Sequence, residues 1–509
     1  MNMRRLKFFL AGIVGCVGAI DGFSKVELAA YFGDGMVLQR GEPITVWGRA
    51  DVGERVQVEW RREKREVTAT RGGAWQVVFA AEEANATPTE LVVTGENRVV
   101  VADVLVGDVW LCSGQSNMEW RVRLAGNAEA EIAAAQYPLI RQFKVPLMVS
   151  DYPWEGGAGV WAKCSPATVG EFSAVGYYFA REVVQATGVP VGILNSSWGG
   201  TQIEGWISLP ALRASRAAAP VLARWEEQLA TFPSRLAEFW QLADAWRARE
   251  AAAKAAGRAF DEQGPRAPEG PGSRMMPAAM FNAMIHPYRW VKLRGVLWYQ
   301  GEANVGRHDE YAELFPAMIE DWRRTFRQPD LPFYFVQLAN FVGARAHREH
   351  DLWADLREAQ TAALQLPHTE MISAIDIGES NNIHPSNKQE VGRRLARHAL
   401  KQVYGKELGL VHGPRFAAAK RDGQEVRVTF AYAEGLRTTD GEAPLSFELA
   451  GRDGKFVAAR ASIDGDGIRV VAKSVSEPAF VRYAWKNDPK VNTVNAAGLP
   501  LEPFRAEIL

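Results

Sequence analysis

Cysteine is nearly absent, with three residues in 509, at positions 16, 112 and 164. So few exclude a disulfide-built scaffold, and Cys112 with Cys164 cannot alone make a zinc site of the usual spacing. Cys112 lies in an apolar run, so the pair reads either as two buried thiols or as one disulfide of an oxidising compartment. An excess of either charge is also missing. Lys plus Arg number 59 against 60 Asp plus Glu, a formal net charge of −1. No global field draws the chain to nucleic acid or to an anionic membrane.

Long apolar runs are missing too, except at the start. Arg4, Arg5 and Lys7 precede a run from Phe8 to Ile20 that is too short to span a bilayer but fits the core of an export signal over residues 1–24. Within it, Ile13-Val14-Gly15-Cys16 has the form of a bacterial lipobox, which would make Cys16 a lipid anchor. The expectation is an exported chain, periplasmic or extracellular, with no membrane span.

What is present is ordinary globular material: 47% hydrophobic and 23% charged residues, enough for a sizeable core. Tryptophan is plentiful at seventeen residues. Core packing accounts for most of them, while exposed rings would suit a sugar. From 25 to 103 short alternating runs (Pro43 to Gly48, Arg55 to Trp60, Trp75 to Phe79) are broken by turns, which predicts a small β-sandwich-like module. At Val104 the pattern changes to fully apolar runs, Val104 to Cys112, Val189 to Leu194, Leu293 to Tyr299 and Pro332 to Leu338, alternating with helical stretches such as Ser173 to Thr187. That predicts an α/β domain over 104–405 with a doubly wound, mostly parallel sheet. Its reactive groups belong at the C-terminal strand ends. An Ala- and Arg-rich stretch, about 210–274, carries Leu222, Trp225, Leu229, Phe239, Leu242 and Trp246 at helical spacing and reads as a helical insertion. Alternation returns over 406–509, in Val426 to Phe430 and Ile468 to Val471, predicting a second β-domain.

Ser116 follows a buried strand in Gly114-Gln115-Ser116-Asn117. A serine at a tight strand-to-helix turn presents its hydroxyl at the sheet edge, although serine at such a place also serves as a helix cap. A serine nucleophile needs a base, and His384 precedes an apparent helix from Asn387 to Tyr404 on a loop able to lean over a strand end. Two other strands end in glycine-containing loops, Ser196 to Thr201 and Trp298 to Asn304. Gly199 and Gly200 offer exposed backbone N–H groups, and Gln300 and Asn304 offer neutral amides for a developing oxyanion; ordinary turns would look the same. Glu119 and Glu302 form the alternative set, two carboxylates for glycoside hydrolysis.

Taken together, Gly-Gln-Ser-Asn-Met-Glu (114–119), Ser-Ser-Trp-Gly-Gly-Thr (196–201), Trp-Tyr-Gln-Gly-Glu-Ala-Asn (298–304) and Ile-His-Pro-Ser-Asn-Lys-Gln-Glu (383–390) resemble the sialate O-acetylesterase family of the SGNH hydrolases. Phe32 to Arg40 and Val481 to Trp485 extend the likeness to both flanks. The resemblance implies an SGNH-type core, Ser116 as nucleophile, His384 as general base and acid, and an acetyl-enzyme intermediate. It implies an oxyanion hole from Ser116, Gly199 or Gly200, and Gln300, and substrate contacts from Gln115, Asn117, Glu302 and Asn304. The substrate would be an acetylated sugar, sialic acid or a related glycan, with acetylated xylan as the alternative. No metal or organic cofactor is implied.

One departure stands out. SGNH enzymes commonly carry Asp three residues before the histidine, where this chain has Asn381, and relatives reading Asp-Ile-His are matched here by Asn382-Ile383-His384. The acid orienting His384 is therefore expected at Asp376, with Glu379 or a backbone carbonyl as substitutes. The same departure motivates a further reading, a glycan-binding scaffold with weakened catalysis.

Overall fold

The computed structural model describes residues 25–342 and 351–509. The export-signal and Cys16 readings lie outside the described residues. Two compact units make up the chain. One comprises the described residues up to Ala29 with Val46–Val77 and Leu91–Val100. In it the strand Arg55–Trp60 pairs antiparallel with Glu63–Thr68 on one side and with residues 91–94 on the other. Alternation sends Val56, Val58, Trp60, Leu91 and Val93 into its core.

The second unit holds the rest, residues 30–45, 78–90 and 101–509. Its main sheet is built from β1 (Arg98–Gly114), β2 (Ile140–Lys144), β3 (Val160–Lys163), β4 (Val191–Ser197), β5 (Gly295–Tyr299), β6 (Phe333–Gln337) and β7 (Thr369–Ser373). The order is β3-β2-β4-β1-β5-β6-β7, with only the edge pair β2–β3 antiparallel. The inner strands β4, β5 and β6 are buried at every position, as a sheet covered on both faces requires. Among the helices are α1 (Ala174–Thr187), α2 (Ala218–Ala255), α3 (His308–Thr325), α4 (Leu352–Thr361) and α5 (Lys388–Gln402). Ser173 caps α1 by accepting the Gly176 N–H at 3.2 Å. α1 packs on α5, and α3 on α4.

The centre of the sheet carries a buried carboxylate, Asp108, held by Arg40 at 3.0 Å and by the Gln39 amide at 3.2 Å. That explains why residues 37–39 pair alongside β1, with Val37 opposite Leu105. β1 is flanked by β4 and β5, which lead the chain towards opposite edges. A crevice opens at such a switch point, beyond the C-terminal strand ends.

The stretch read as a helical insertion is dominated by α2, which leaves Trp240 and Leu242 half exposed. Past α5, two four-stranded antiparallel sheets share one core, including Val426, Val428, Leu449, Ile468, Val481 and Tyr483. Cys112 and Cys164 are both free, buried thiols. No helix among the described residues is long and apolar enough to cross a membrane.

The switch from strand to helix at β1 depends on Gly114. Its φ is +132°, and a Cβ there would run into the Tyr299 carbonyl of the neighbouring strand. Gly114→Ala should therefore lose at least about 2–3 kcal/mol from strain and displacement, read as a lower unfolding midpoint in urea.

Candidate active site

Ser116 begins a one-turn helix, Ser116–Glu119, directly after β1. The turn is pinned by the Gln115 N–H, which donates to the Tyr299 carbonyl at 3.0 Å. His384 sits on the loop between β7 and α5, and Asn387 closes that loop by capping α5 through the Glu390 N–H at 3.1 Å. The fold brings these distant residues together: His384 Nε2 lies 2.8 Å from Ser116 Oγ.

The imidazole is stacked on Trp120, with centroids 4.4 Å apart and planes 19° from parallel. Trp120 is itself fixed by its indole N–H, which donates to the Leu124 carbonyl at 2.9 Å. Partial burial, and then the nearby Lys388 ammonium, hold the His384 pKa below its ordinary 6.5. The ring is thus neutral near pH 7, as a base must be.

Asn117, buried beside Ser116, is the hub beneath the pair. Its NH2 donates to Glu302 Oε1 and to the Ile383 carbonyl at 2.9 Å, and its oxygen accepts from Lys388 Nζ at 2.6 Å. Burial raises the Glu302 carboxyl, and it pushes the Lys388 ammonium down to about 7 against the pull of Glu302 and Glu379.

Asp376 is not the acid that orients His384. Its two oxygens are engaged by Arg394 Nη1 and Nη2, both at 2.7 Å. The same buried guanidinium also holds Glu390 at 2.7 Å and the Ser373 carbonyl at 2.6 Å. No carboxylate bonds to the His384 ring among the described residues. Glu379 instead holds the loop: it accepts from the Asn382 amide at 2.8 Å and from the Ser386 N–H at 2.7 Å. Asn382 in turn accepts the His384 backbone N–H at 3.0 Å.

The expected oxyanion donors divide. Gln300 is fully buried and its NH2 is engaged by Asn304 at 2.8 Å and the Thr201 carbonyl at 3.2 Å, so it has no hydrogen left for an oxyanion. The Gly199 N–H is close to Ser116 but donates to Glu119 Oε2 at 2.7 Å. Gly200 takes φ +70°, and Arg274, at the end of the insertion, donates to the Gly199 carbonyl at 2.9 Å. Ser116 N–H, in the first turn of its short helix, has no intrahelical acceptor by position.

The expected substrate contacts are largely internal struts. Asn117 and Asn304 are buried with both amide atoms occupied; Asn304 accepts the Ile203 N–H at 3.0 Å and donates to Glu204 at 3.0 Å. Gln115 Oε1 accepts from the Gly301 and Ala303 N–H groups at 3.4 and 3.2 Å. Glu302 points inward to Asn117, which also removes it as an acid presented to a glycosidic bond. Farther along the loop after β4, Gln202 and Glu204 border a cavity of about 130 Å³, whose other wall includes Arg224 and Trp225 of α2.

Sequence reasoning assigned no role to Lys388 or Trp120. Lys388 was open to discovery, since it stands four residues after His384 in the quoted block and becomes the first residue of α5. Trp120 follows the first block directly, but nothing in its spacing announces a stack on a residue 264 positions away.

Asp376→Asn should act on stability, because it leaves the buried Arg394 short of its counter-charge. A loss of about 2–3 kcal/mol in denaturant unfolding is expected, with no change at the Ser116–His384 pair.

Comparison with known proteins identifies the family. Residues 272–401 match the family model described as carbohydrate esterase, sialic acid-specific acetylesterase. The sialate O-acetylesterase of Rattus norvegicus is 32% identical over 437 residues, covering 78% of this chain and 76% of that protein. The enzyme of the same name from Homo sapiens is 30% identical, covering 76% and 73%. The crystal structure of a carbohydrate acetylesterase from Xanthomonas citri superposes with a TM-score of 0.80 at 36% identity, covering 95% of this chain and 99% of that one. This chain belongs to the sialate O-acetylesterase family and is a carboxylic ester hydrolase.

Proposed function

We propose that this carbohydrate O-acetylesterase removes acetyl groups from a sialic acid or related glycan through an acetyl-Ser116 intermediate, on an SGNH-type core flanked by β-sandwich-like modules. The observation that carries the reading is the 2.8 Å approach of His384 Nε2 to Ser116 Oγ across two separate strand ends. Ser116 Oγ attacks the acetyl carbonyl while His384 takes its proton, and His384 then gives that proton to the departing sugar oxygen. Water attacks the acetyl-serine with His384 again as base, releasing acetate and restoring Ser116.

The imidazolium formed on the way lacks a carboxylate partner. The Trp120 face supports it instead; a cation over an aromatic ring gains about 0.5–2 kcal/mol, more as water is excluded. The oxyanion is received by the Ser116 N–H and the Gly200 N–H, and the Gly199 N–H joins them once Glu119 withdraws. The cavity of about 130 Å³ beside the same loop gives the sugar room against Trp225 and Arg224. If residues 1–24 direct export, the acetylated glycan is met outside the cytoplasm.

The test is acetate release from p-nitrophenyl acetate, acetylated sialic acid and acetylated xylan. Ser116→Ala and His384→Ala should each lose at least about a thousandfold in kcat, because the two act as a unit. Full activity in either variant, or loss confined to Glu302→Gln, would sink the mechanism, and no release by the wild type would favour a binding scaffold. Preference between the two glycans decides the substrate.

The pH profile offers a second check. His384 must be neutral to accept the proton, so kcat/KM rises with pH through its pKa. Because that pKa is depressed, the acid limb should have its midpoint below 6.5. Trp120→Leu should lower kcat by about 2- to 30-fold, the loss of one aromatic face from the imidazolium, as measured by steady-state kinetics.

A further inference from the structure

Away from Ser116, three side chains on three segments bring metal-binding atoms together: Glu370 in β7, His398 in α5 and His412 on the segment leading to the C-terminal sheets. His412 Nε2 lies 2.9 Å from Glu370 Oε2, and His398 Nδ1 lies 4.0 Å from the same oxygen. All three ligand atoms fall within 4.8 Å of one another.

His398 is the telling member. It is completely buried, yet neither of its ring nitrogens has a protein partner. Every imidazole carries at least one polar N–H or lone pair, and leaving one buried without a partner costs about 1–3 kcal/mol. The ring is not loosely placed: it meets His412 edge-on, with centroids 4.5 Å apart, and His412 is stacked on Tyr432 at 4.3 Å. Glu370 is held as well, since its other oxygen accepts from the Gln402 amide at 2.5 Å. The His412 carbonyl accepts from Asn495 at 2.8 Å, which fixes the backbone there.

We propose that Glu370, His398 and His412 bind one divalent metal ion, zinc by preference, at a site separate from the Ser116–His384 pair. Two imidazole nitrogens and one carboxylate oxygen are the donor set of a four-coordinate zinc site whose fourth position is water. Calcium and magnesium prefer oxygen donors and are disfavoured by the two nitrogens. Zinc would draw the three ligand atoms slightly inward from their present spacing. The cations in the surroundings do not block it: Arg415 is paired with Glu502 at 2.7 Å, and Arg397 Nη2 donates to the Leu410 carbonyl. The bound ion ties β7 and α5 to the segment that follows them. It thereby braces the helix that begins with Lys388, and it stabilises the folded chain by mass action.

The experiment uses the full chain, stripped with a chelator and titrated with Zn²⁺ against a chromogenic competitor, with metal content measured by mass spectrometry. The wild type should take up about one zinc per chain, and its Tm should rise on addition. Glu370→Gln and His412→Asn should each lose at least about tenfold in affinity and lose the Tm response. His412 is partly accessible, so its Asn variant leaves the buried core intact, and a native circular-dichroism spectrum verifies that it is folded. A wild type that takes up no zinc overturns the site and assigns water to His398. Variants that hold zinc as tightly as the wild type overturn it equally, because the ion then lies elsewhere.

Discussion

The arrangement at Ser116 depends on the amide of Asn117. That one side chain joins three groups: Glu302 on the loop after β5, the Ile383 carbonyl next to His384, and Lys388 at the start of α5. Two of its partners are ionisable groups buried in the protein. Such bonds are roughly twice as strong as neutral ones, and breaking them strands a charge. Asn117 is also the residue after Ser116. The backbone turn that places Ser116 therefore also places the anchor of the His384 loop, and the two side chains cannot drift apart independently.

With Asn117 fixing the loop, His384 does without a carboxylate. Burial and Lys388 both work against its protonation, and the Trp120 face lies against the ring where a charge on it would be felt. Asn382 has a structural reason as well. Its NH2 faces Glu379, and an aspartate there would set two carboxylates against each other. Asn382 and Glu379 act as a neutral-to-charged clasp on the His384 loop, not as a relay to the imidazole.

Much of this was legible in the residues, and the failures share a cause. The strand-to-helix turn at Ser116 and the loop at His384 are local signals, set by apolar runs and by what punctuates them. The parallel strands β1, β4, β5 and β6 announce themselves as apolar runs. β2 does not, because Ile-Arg-Gln-Phe-Lys carries polar groups into the interior, where Gln142 accepts the Ser173 N–H at 2.9 Å and Arg141 binds the Asp103 carbonyl at 2.6 Å. Side-chain direction was equally hidden. Asp376 is eighteen residues from Arg394, and only the docking of α5 on the sheet shows that its carboxylate is engaged. Gln300 and Asn304 stand at a strand end suited to an oxyanion hole, yet their amides turn inward to hold the Thr201 and Ile203 backbone. The three zinc-ligand candidates span residues 370 to 412 without a motif, so their meeting is a property of the fold alone.

The same inward engagement explains how a short loop can hold His384 at a fixed distance from Ser116. β7 ends at Ser373 and α5 begins at Lys388, and both ends are tied to one guanidinium, since Arg394 rises from α5 to grip the Ser373 carbonyl and Asp376. Between those anchors Glu379 closes a second, smaller ring through Asn382 and Ser386, with His384 at its apex. A loop closed at both ends and again in the middle has little conformational entropy left to lose when substrate arrives. Asp376 thus fixes where the loop begins, a structural contribution made through Arg394 and separate from the Ser116–His384 contact.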